Sequence, residues 1–291
     1  MILEVNRAND TVWATRMRAA EKLQGQKLKS PATAGDSLNA GLVSSSQDGV
    51  HPRLEQTLRR HLDTRWSQPL HRPSIDTYRR LQDECSFTRG RPFVLDSGCG
   101  TGKSTQQLAC QYPGHLVIGV DRSQARLAKS GMVQNGILQS PGRRRNCILL
   151  RAELTTFWRL LARDGHIPHK HFLLYPNPWP KPGHLKRRWH AHPVFPRLLA
   201  LGGEIEMRCN WEIYALEFAQ AVDFATGESV VPQKYQPRGY QPGDSASPFE
   251  QKYLERAQPL FSVIVPRRIT AAFRHARDLG YRTDQIVTDQ G

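Results

Sequence analysis

The chain has 291 residues, 38% of them apolar, and a formal net charge of +15. That length suits one α/β domain with arms to spare, and the charge favours a polyanionic partner, nucleic acid above all. Five cysteines, widely spaced and without a CxxC pair, argue against a disulfide framework or a zinc site and for a reducing cytoplasm, while no stretch reads as a secretion signal or membrane span.

Residues 1–50 close on KLKSPATAGDSLNAGLVSSSQDGV, which is rich in Ser, Gly, Ala and Asn. So little apolar surface cannot offset the entropy of ordering, which predicts a disordered arm. Residues 51–90 read as a short helical region. In HPRLEQTLRRHLDTRW, Leu54, Leu58 and Leu62 recur four apart, the spacing of one face of a basic amphipathic helix. SIDTYRRLQDEC predicts a second helix with Ser74 as its N-cap.

Over residues 91–265 apolar runs alternate with helical patterns. PFVLD, HLVIGVD, NCILLRAEL, KHFLLYPNPWP, LGGEIEMRCN and PLFSVIVP read as strands; KSTQQLACQY, SQARLAKSGMVQN, LTTFWRLLARDG and WEIYALEFAQAV read as helices. The alternation predicts a doubly wound, mostly parallel sheet of about seven strands. Residues 266–291 look like a basic helical tail.

The turn DSGCGTGKST (Asp96–Thr105) joins the first strand to the first helix of this domain. Its right end resembles a P-loop, but Ser97 stands where the first glycine of that motif belongs. Three alternate glycines, Gly98, Gly100 and Gly102, instead let the backbone approach a ligand at a helix N-terminus. Asp121 ends the next strand, where a carboxylate can take both ribose hydroxyls, with Arg122 beside it as a further candidate. Asp96 suits a ligand that carries an ammonium group and no pyrophosphate, and S-adenosylmethionine has that character. Glu153 follows the third strand, either near the adenine amine or as an ordinary helix-start acid favoured by the helix dipole.

The fourth strand runs into LLYPNPWPKPGHLKRRWH. Prolines stiffen this loop, so Asn177 is pre-aimed and Trp179 offers a stacking surface. Lys181, Lys186, Arg187 and Arg188 form a basic run able to pair with phosphates, with His184 either bracing the loop or touching RNA.

These residues resemble the bacterial tRNA (guanine-N7)-methyltransferases, a class I S-adenosylmethionine-dependent family marked by Pro-Asp-Pro-Trp, then Lys, then His-x-Lys-Arg-Arg. Here the run is Pro176-Asn177-Pro178-Trp179-Pro180-Lys181, then His184, Lys186, Arg187 and Arg188. The family's Thr-Asp-x-x-x-Tyr is matched by Cys209-Asn210-Trp211-Glu212-Ile213-Tyr214, and its Thr-x-x-Glu by Ser247-Pro248-Phe249-Glu250. The similarity spans about residues 90–265. It implies S-adenosylmethionine as cofactor, held by Asp96, Gly98, Gly100, Gly102, Asp121, Arg122 and Glu153. It implies tRNA as substrate, no metal and no membrane, in a monomer or small homo-oligomer. Asn177 would orient the base, with Asn210, Tyr214, Ser247 and Glu250 around it. Two of the family's acids are amides here, Asn177 and Asn210. The Asn-Pro-Trp order also resembles the loop of enzymes that methylate exocyclic amines of bases, and a non-catalytic RNA-binding protein on the same fold is a third reading.

Overall fold

Parallel strands buried on both faces read as near-continuous apolar runs, and Phe93–Ser97 (β1) and Leu116–Asp121 (β2) are buried at every position, with polar side chains only at their carboxyl ends. The computed structural model describes residues 43–64, 66–84, 91–130, 137–139, 146–237 and 247–281. Two helices, Leu54–Asp63 (α1) and Arg72–Glu84 (α2), precede β1. Then follow Lys103–Gln111 (α3), β2, Gln124–Ala128 (α4), Ile137–Gln139 (β3), Cys147–Arg151 (β4), Leu154–Arg163 (α5) and Lys170–Leu174 (β5). After two short 3-10 turns, Pro182–Arg187 and Trp189–Ala191, come Phe195–Ala200 (α6), Glu204–Cys209 (β6), Glu212–Thr226 (α7) and Gln233–Lys234 (β7). Pro248–Glu255 (α8), Phe261–Val265 (β8) and Arg267–Tyr281 (α9) complete the described chain.

The sheet runs β3-β4-β2-β1-β5-β6-β8-β7. Strands β4, β2, β1, β5 and β6 are parallel, and β8 is antiparallel to β6. This is the expected doubly wound α/β sheet, closed by β7 and β8 and extended by the short β3, which pairs antiparallel with β4. The chain moves outward from β1 through β2 to β4, then returns to lay β5 on the other side of β1. Such a reversal opens a crevice at the carboxyl ends of β1 and β5, where ligands bind in sheets of this kind. Helix α3 can lie close over β2 because Gly119 has no side chain; a Cβ there would strike Thr105 and Leu149.

Both flanks differ from the composition-based reading. Residues 1–42 lie outside the described residues, but 43–50 are anchored: Ser45 and Gln47 hydrogen-bond to the domain. Side-chain hydrogen bonds, together with Val43 and Val50 packed against the core, hold this stretch. Beyond β8, α9 is part of the domain rather than a tail, with Ile269 and Phe273 in the core and Thr270 Oγ1 donating to Gly203 O at 2.6 Å. Ser74 sits inside α2 rather than capping it, and its hydroxyl accepts from the Glu153 backbone at 2.8 Å. The basic run at Arg143–Arg145 lies outside the described residues.

Candidate active site

Gly98, Gly100 and Gly102 all take positive φ (82°, 60° and 77°), a backbone that side chains adopt only under strain. At Gly98 and Gly100 a Cβ would meet nothing within 4 Å, so the turn is open on its outer side; at Gly102 it would strike Leu149. Lys103 sends its ammonium to Gln251 Oε1 at 3.2 Å, away from the turn. Ser104 and Thr105 donate to Asp96 Oδ2 at 2.6 and 2.7 Å. Groups that a P-loop turns on phosphate and magnesium are thus engaged elsewhere.

Asp96 is 1% exposed, and its Oδ1 is a buried oxygen without a hydrogen-bond partner. Burial pushes its carboxyl up to about 6, against the pull of the two hydroxyls and with help from nearby Asp121. An unsatisfied buried acceptor is costly, and an ammonium group would satisfy it. The turn therefore fits S-adenosylmethionine: open glycine backbone with an orphaned acid at its foot. A ligand whose ammonium pairs with Asp96 needs the ionised carboxylate. Its affinity is expected to rise about tenfold between about pH 5 and pH 7, as the carboxyl ionises through its value of about 6. Calorimetric titration of the cofactor across that range checks this; a flat profile removes Asp96 from the ligand.

Asp121 is 2% exposed and closes the turn from below. Its Oδ2 accepts from Gly100 N–H at 3.0 Å, its Oδ1 from Ser123 N–H at 2.8 Å, and Arg126 reaches Oδ1 at 3.2 Å. Arg122 is exposed at the same rim. Glu153 is the N-cap of α5, accepting from the backbone N–H of Thr155 and Thr156 at 3.1 and 2.7 Å. Burial raises its carboxyl, but these bonds and the Thr155 hydroxyl outweigh that and hold it below the ordinary range. Of the two readings open for this residue, helix capping is the one its contacts describe.

The loop after β5 carries two residues in left-handed backbone, Tyr175 (φ 52°) and Trp179 (φ 46°), uncommon for side chains of that size. Asn177 is exposed, and its Oδ1 accepts the Trp179 N–H at 3.2 Å. Arg187 lies over the Trp179 ring at 4.7 Å and His184 meets its edge at 5.5 Å, so His184 braces the loop. Lys181, Lys186 and Arg187 are exposed.

Arg188 is not part of that basic surface. It is fully buried, because the 3-10 turn points it inward, and NH1 donates to both oxygens of Glu217 at 2.7 and 2.6 Å. Its Nε and NH2 donate to the Trp179 carbonyl at 3.2 and 3.1 Å. Tyr214 does not line a pocket either: it is 1% exposed, on the inner face of α7, with its hydroxyl accepting the Trp189 N–H at 3.3 Å. Both residues support the loop from beneath.

Glu250 is also buried and accepts from Tyr175 Oη at 2.7 Å and Arg208 NH1 at 3.2 Å. Ser247 caps α8 by accepting the Glu250 N–H at 3.1 Å, and Asn210 donates to Gln258 Oε1 at 3.1 Å. These three, widely separated in sequence from Tyr175, gather under the β5 and β6 ends. Four residues of the arrangement were missed in the sequence: Tyr175, Arg208, Glu217 and Gln47. Tyr175 abuts the proline loop, a signal that could have found it; Glu217 sits in an apolar helical run and gives none. Among the described residues no group of acids, histidines and cysteines could hold a metal.

A family model described as "Putative methyltransferase" matches residues 90–263, more than half of the chain. Among curated proteins, the tRNA (guanine-N(7)-)-methyltransferase of Alkalilimnicola ehrlichii is 26% identical over 193 residues, 63% of this chain and 76% of that one. The protein of the same name from Alcanivorax borkumensis is 30% identical over 199 residues, covering 64% and 76%. That of Bordetella pertussis is 28% identical over 147 residues, where the match spans 56% of the relative.

Proposed function

The chain belongs to the family described as "Putative methyltransferase", and we propose that it moves a methyl group from S-adenosylmethionine to N7 of a guanine in tRNA. The observation that carries this reading is the pairing of β1 with β5. Through it, the open glycine turn with the orphaned Asp96 oxygen and the loop with exposed Asn177 leave neighbouring strands at one sheet edge. The relatives named for this reaction on tRNA supply the substrate.

When bound, the cofactor supplies an electrophilic methyl group on a sulfonium centre. Guanine N7 presents a lone pair and no proton in the major-groove edge, so no general base is required. The task left to the chain is to hold N7 in line, a matter of orientation. With its oxygen engaged by Trp179 N–H, Asn177 offers its amide N–H to an acceptor on the base, and O6 flanks N7 on the same edge. What the two amides forgo, relative to acids at Asn177 and Asn210, is charge: a charge-assisted hydrogen bond is about twice as strong as a neutral one.

Lys181, Lys186 and Arg187 take the RNA phosphates in this reading. Replacing all three by alanine is expected to make the log–log salt dependence of tRNA binding shallower by about two to three. A filter-binding series in KCl checks this, and an unchanged slope moves the RNA surface elsewhere. A reducing cytoplasm as the site of action belongs to the same reading; the cysteines of the described residues are free thiols.

The deciding experiment incubates the protein with methyl-labelled S-adenosylmethionine and undermethylated bulk tRNA, then identifies the labelled nucleosides. Label in 7-methylguanosine is the expected result. Label in another nucleoside would reassign the target, and no label with the cofactor bound would leave the RNA-binding reading in its place.

A further inference from the structure

We propose that residues 45–51 form a strap that sets the conformation of the Asn177 loop, with Ser45 and Gln47 as positioning residues for methyl transfer. Its kinetic consequence rests on the function proposed above; its structural content does not.

The loop is stiff, but within residues 176–180 the hydrogen bond it makes to itself is Trp179 N–H to Asn177 Oδ1. Pro176, Pro178 and Pro180 lack N–H groups, so over residues 176–180 the backbone donors are those of Asn177 and Trp179. Left-handed backbone at Tyr175 and Trp179 adds strain that surrounding contacts must offset. The carbonyls of Trp179 and Pro180 are therefore bound by donors from outside. Ser45 Oγ donates to the Pro180 carbonyl at 2.7 Å, and Arg188 gives two bonds to the Trp179 carbonyl at 3.2 and 3.1 Å.

Arg188 in turn is fixed by the strap. NH1 takes Glu217, and NH2 donates to Gln47 Oε1 at 3.0 Å. With its bonds to Trp179, all five guanidinium donors are used, the most such a group can offer. Gln47 Nε2 donates to Glu217 Oε1 at 2.6 Å, and His51 N–H donates to the same oxygen at 3.0 Å. Between Val43 and Asp48 the side chains alternate in exposure, with Val43, Ser45 and Gln47 half-buried and Ser44, Ser46 and Asp48 exposed. Of the half-buried members, Ser45 meets the loop and Gln47 the pair that holds it, with Gln47 also donating to Gly49 O at 2.6 Å, while Val43 packs against the hydrophobic core. Val43 and Val50 seat the ends of the segment on the core, and the polar side chains between them are the ones that reach the loop and its holding pair.

Replacing Arg188 or Glu217 would strand a buried charge and confuse positioning with folding, so the test uses the half-buried strap. Ser45→Ala, Ser45→Thr and Gln47→Ala are made in the full chain. Three quantities are measured: amide exchange of the peptide spanning residues 175–188, S-adenosylmethionine affinity, and kcat with KM for tRNA. Ser45→Ala and Gln47→Ala are expected to speed exchange in that peptide and to lower kcat about tenfold or more, with cofactor affinity within about twofold. Ser45→Thr, which keeps the hydroxyl, is expected to restore both. Exchange unaltered in both alanine variants overturns the proposal, as does faster exchange with kcat intact. Should the unmodified protein methylate no RNA, the functional reading falls, and exchange alone decides the strap: faster supports it, unaltered overturns it.

Discussion

Replacing Glu217 by alanine is expected to destabilise the protein by about 3–5 kcal/mol, the cost of leaving a buried partner charge uncompensated. Glu217 is 0% exposed and accepts from Arg188, His190, Gln47 and the His51 backbone. Its removal orphans all of these donors at once. In a domain of this size the melting temperature should fall by about 10 °C, and denaturant titration checks the free energy. A loss below about 1 kcal/mol would mean that water reaches Arg188 when the acid is gone. The pH dependence has a definite sign. Burial raises the Glu217 carboxyl, but the hydrogen bonds and charges of His190 and Arg188 outweigh it and bring it down to about 2. Its stabilisation is fully present above the unfolded value of about 4.3 and is lost as pH falls toward about 2. In Glu217→Ala that part of the acid sensitivity should vanish. Replacing Arg188 and Glu217 together by apolar residues of similar volume is expected to recover much of the stability, while leaving the Trp179 carbonyl without its donors.

Asp121→Ala should weaken S-adenosylmethionine binding by about a hundredfold or more, since hydrogen bonds to a charged group contribute about 1.5–3 kcal/mol each. Two effects add. The carboxylate that is proposed to take the ribose hydroxyls is lost, and Gly100 N–H loses its 3.0 Å acceptor, which loosens the turn. The contact that a diol can displace is Arg126, whose side chain is half exposed. Asp121→Asn keeps one acceptor and should lose less. Isothermal titration of both variants separates the effects, and an unchanged affinity in Asp121→Ala would take this residue out of the ribose role.

The parts of this molecule that were legible in the sequence are those whose physics is local. Alternate glycines between an apolar strand and a helix announce a turn, because positive φ is cheap only for glycine. Asp121 follows from its place at the end of the next strand, and the proline loop from residues that restrict their own backbone. Apolar runs disclosed most of the interior strands and the Gly202-Gly203 break disclosed β6, whereas β7, two exposed residues, and β3, three residues paired at the sheet edge, carried no such signal.

Tertiary structure decided which members of a motif face outward. Arg187 and Arg188 are adjacent and chemically alike, yet one lies over Trp179 at the surface and the other is buried against Glu217. Composition likewise misjudged residues 43–50, because it registers sparse apolar surface but neither the hydrogen bonds that anchor Ser45 and Gln47 nor the core contacts of Val43 and Val50. The reason is distance along the chain. Spacing reports contacts within a turn or a strand, whereas Gln47 finds Glu217 across 170 positions and Tyr175 finds Glu250 across 75. The sequence by itself determined the interior strands of the sheet and the glycine turn at their edge. The support beneath the loop came only from the fold, since a buried charge takes its meaning from the partner that neutralises it.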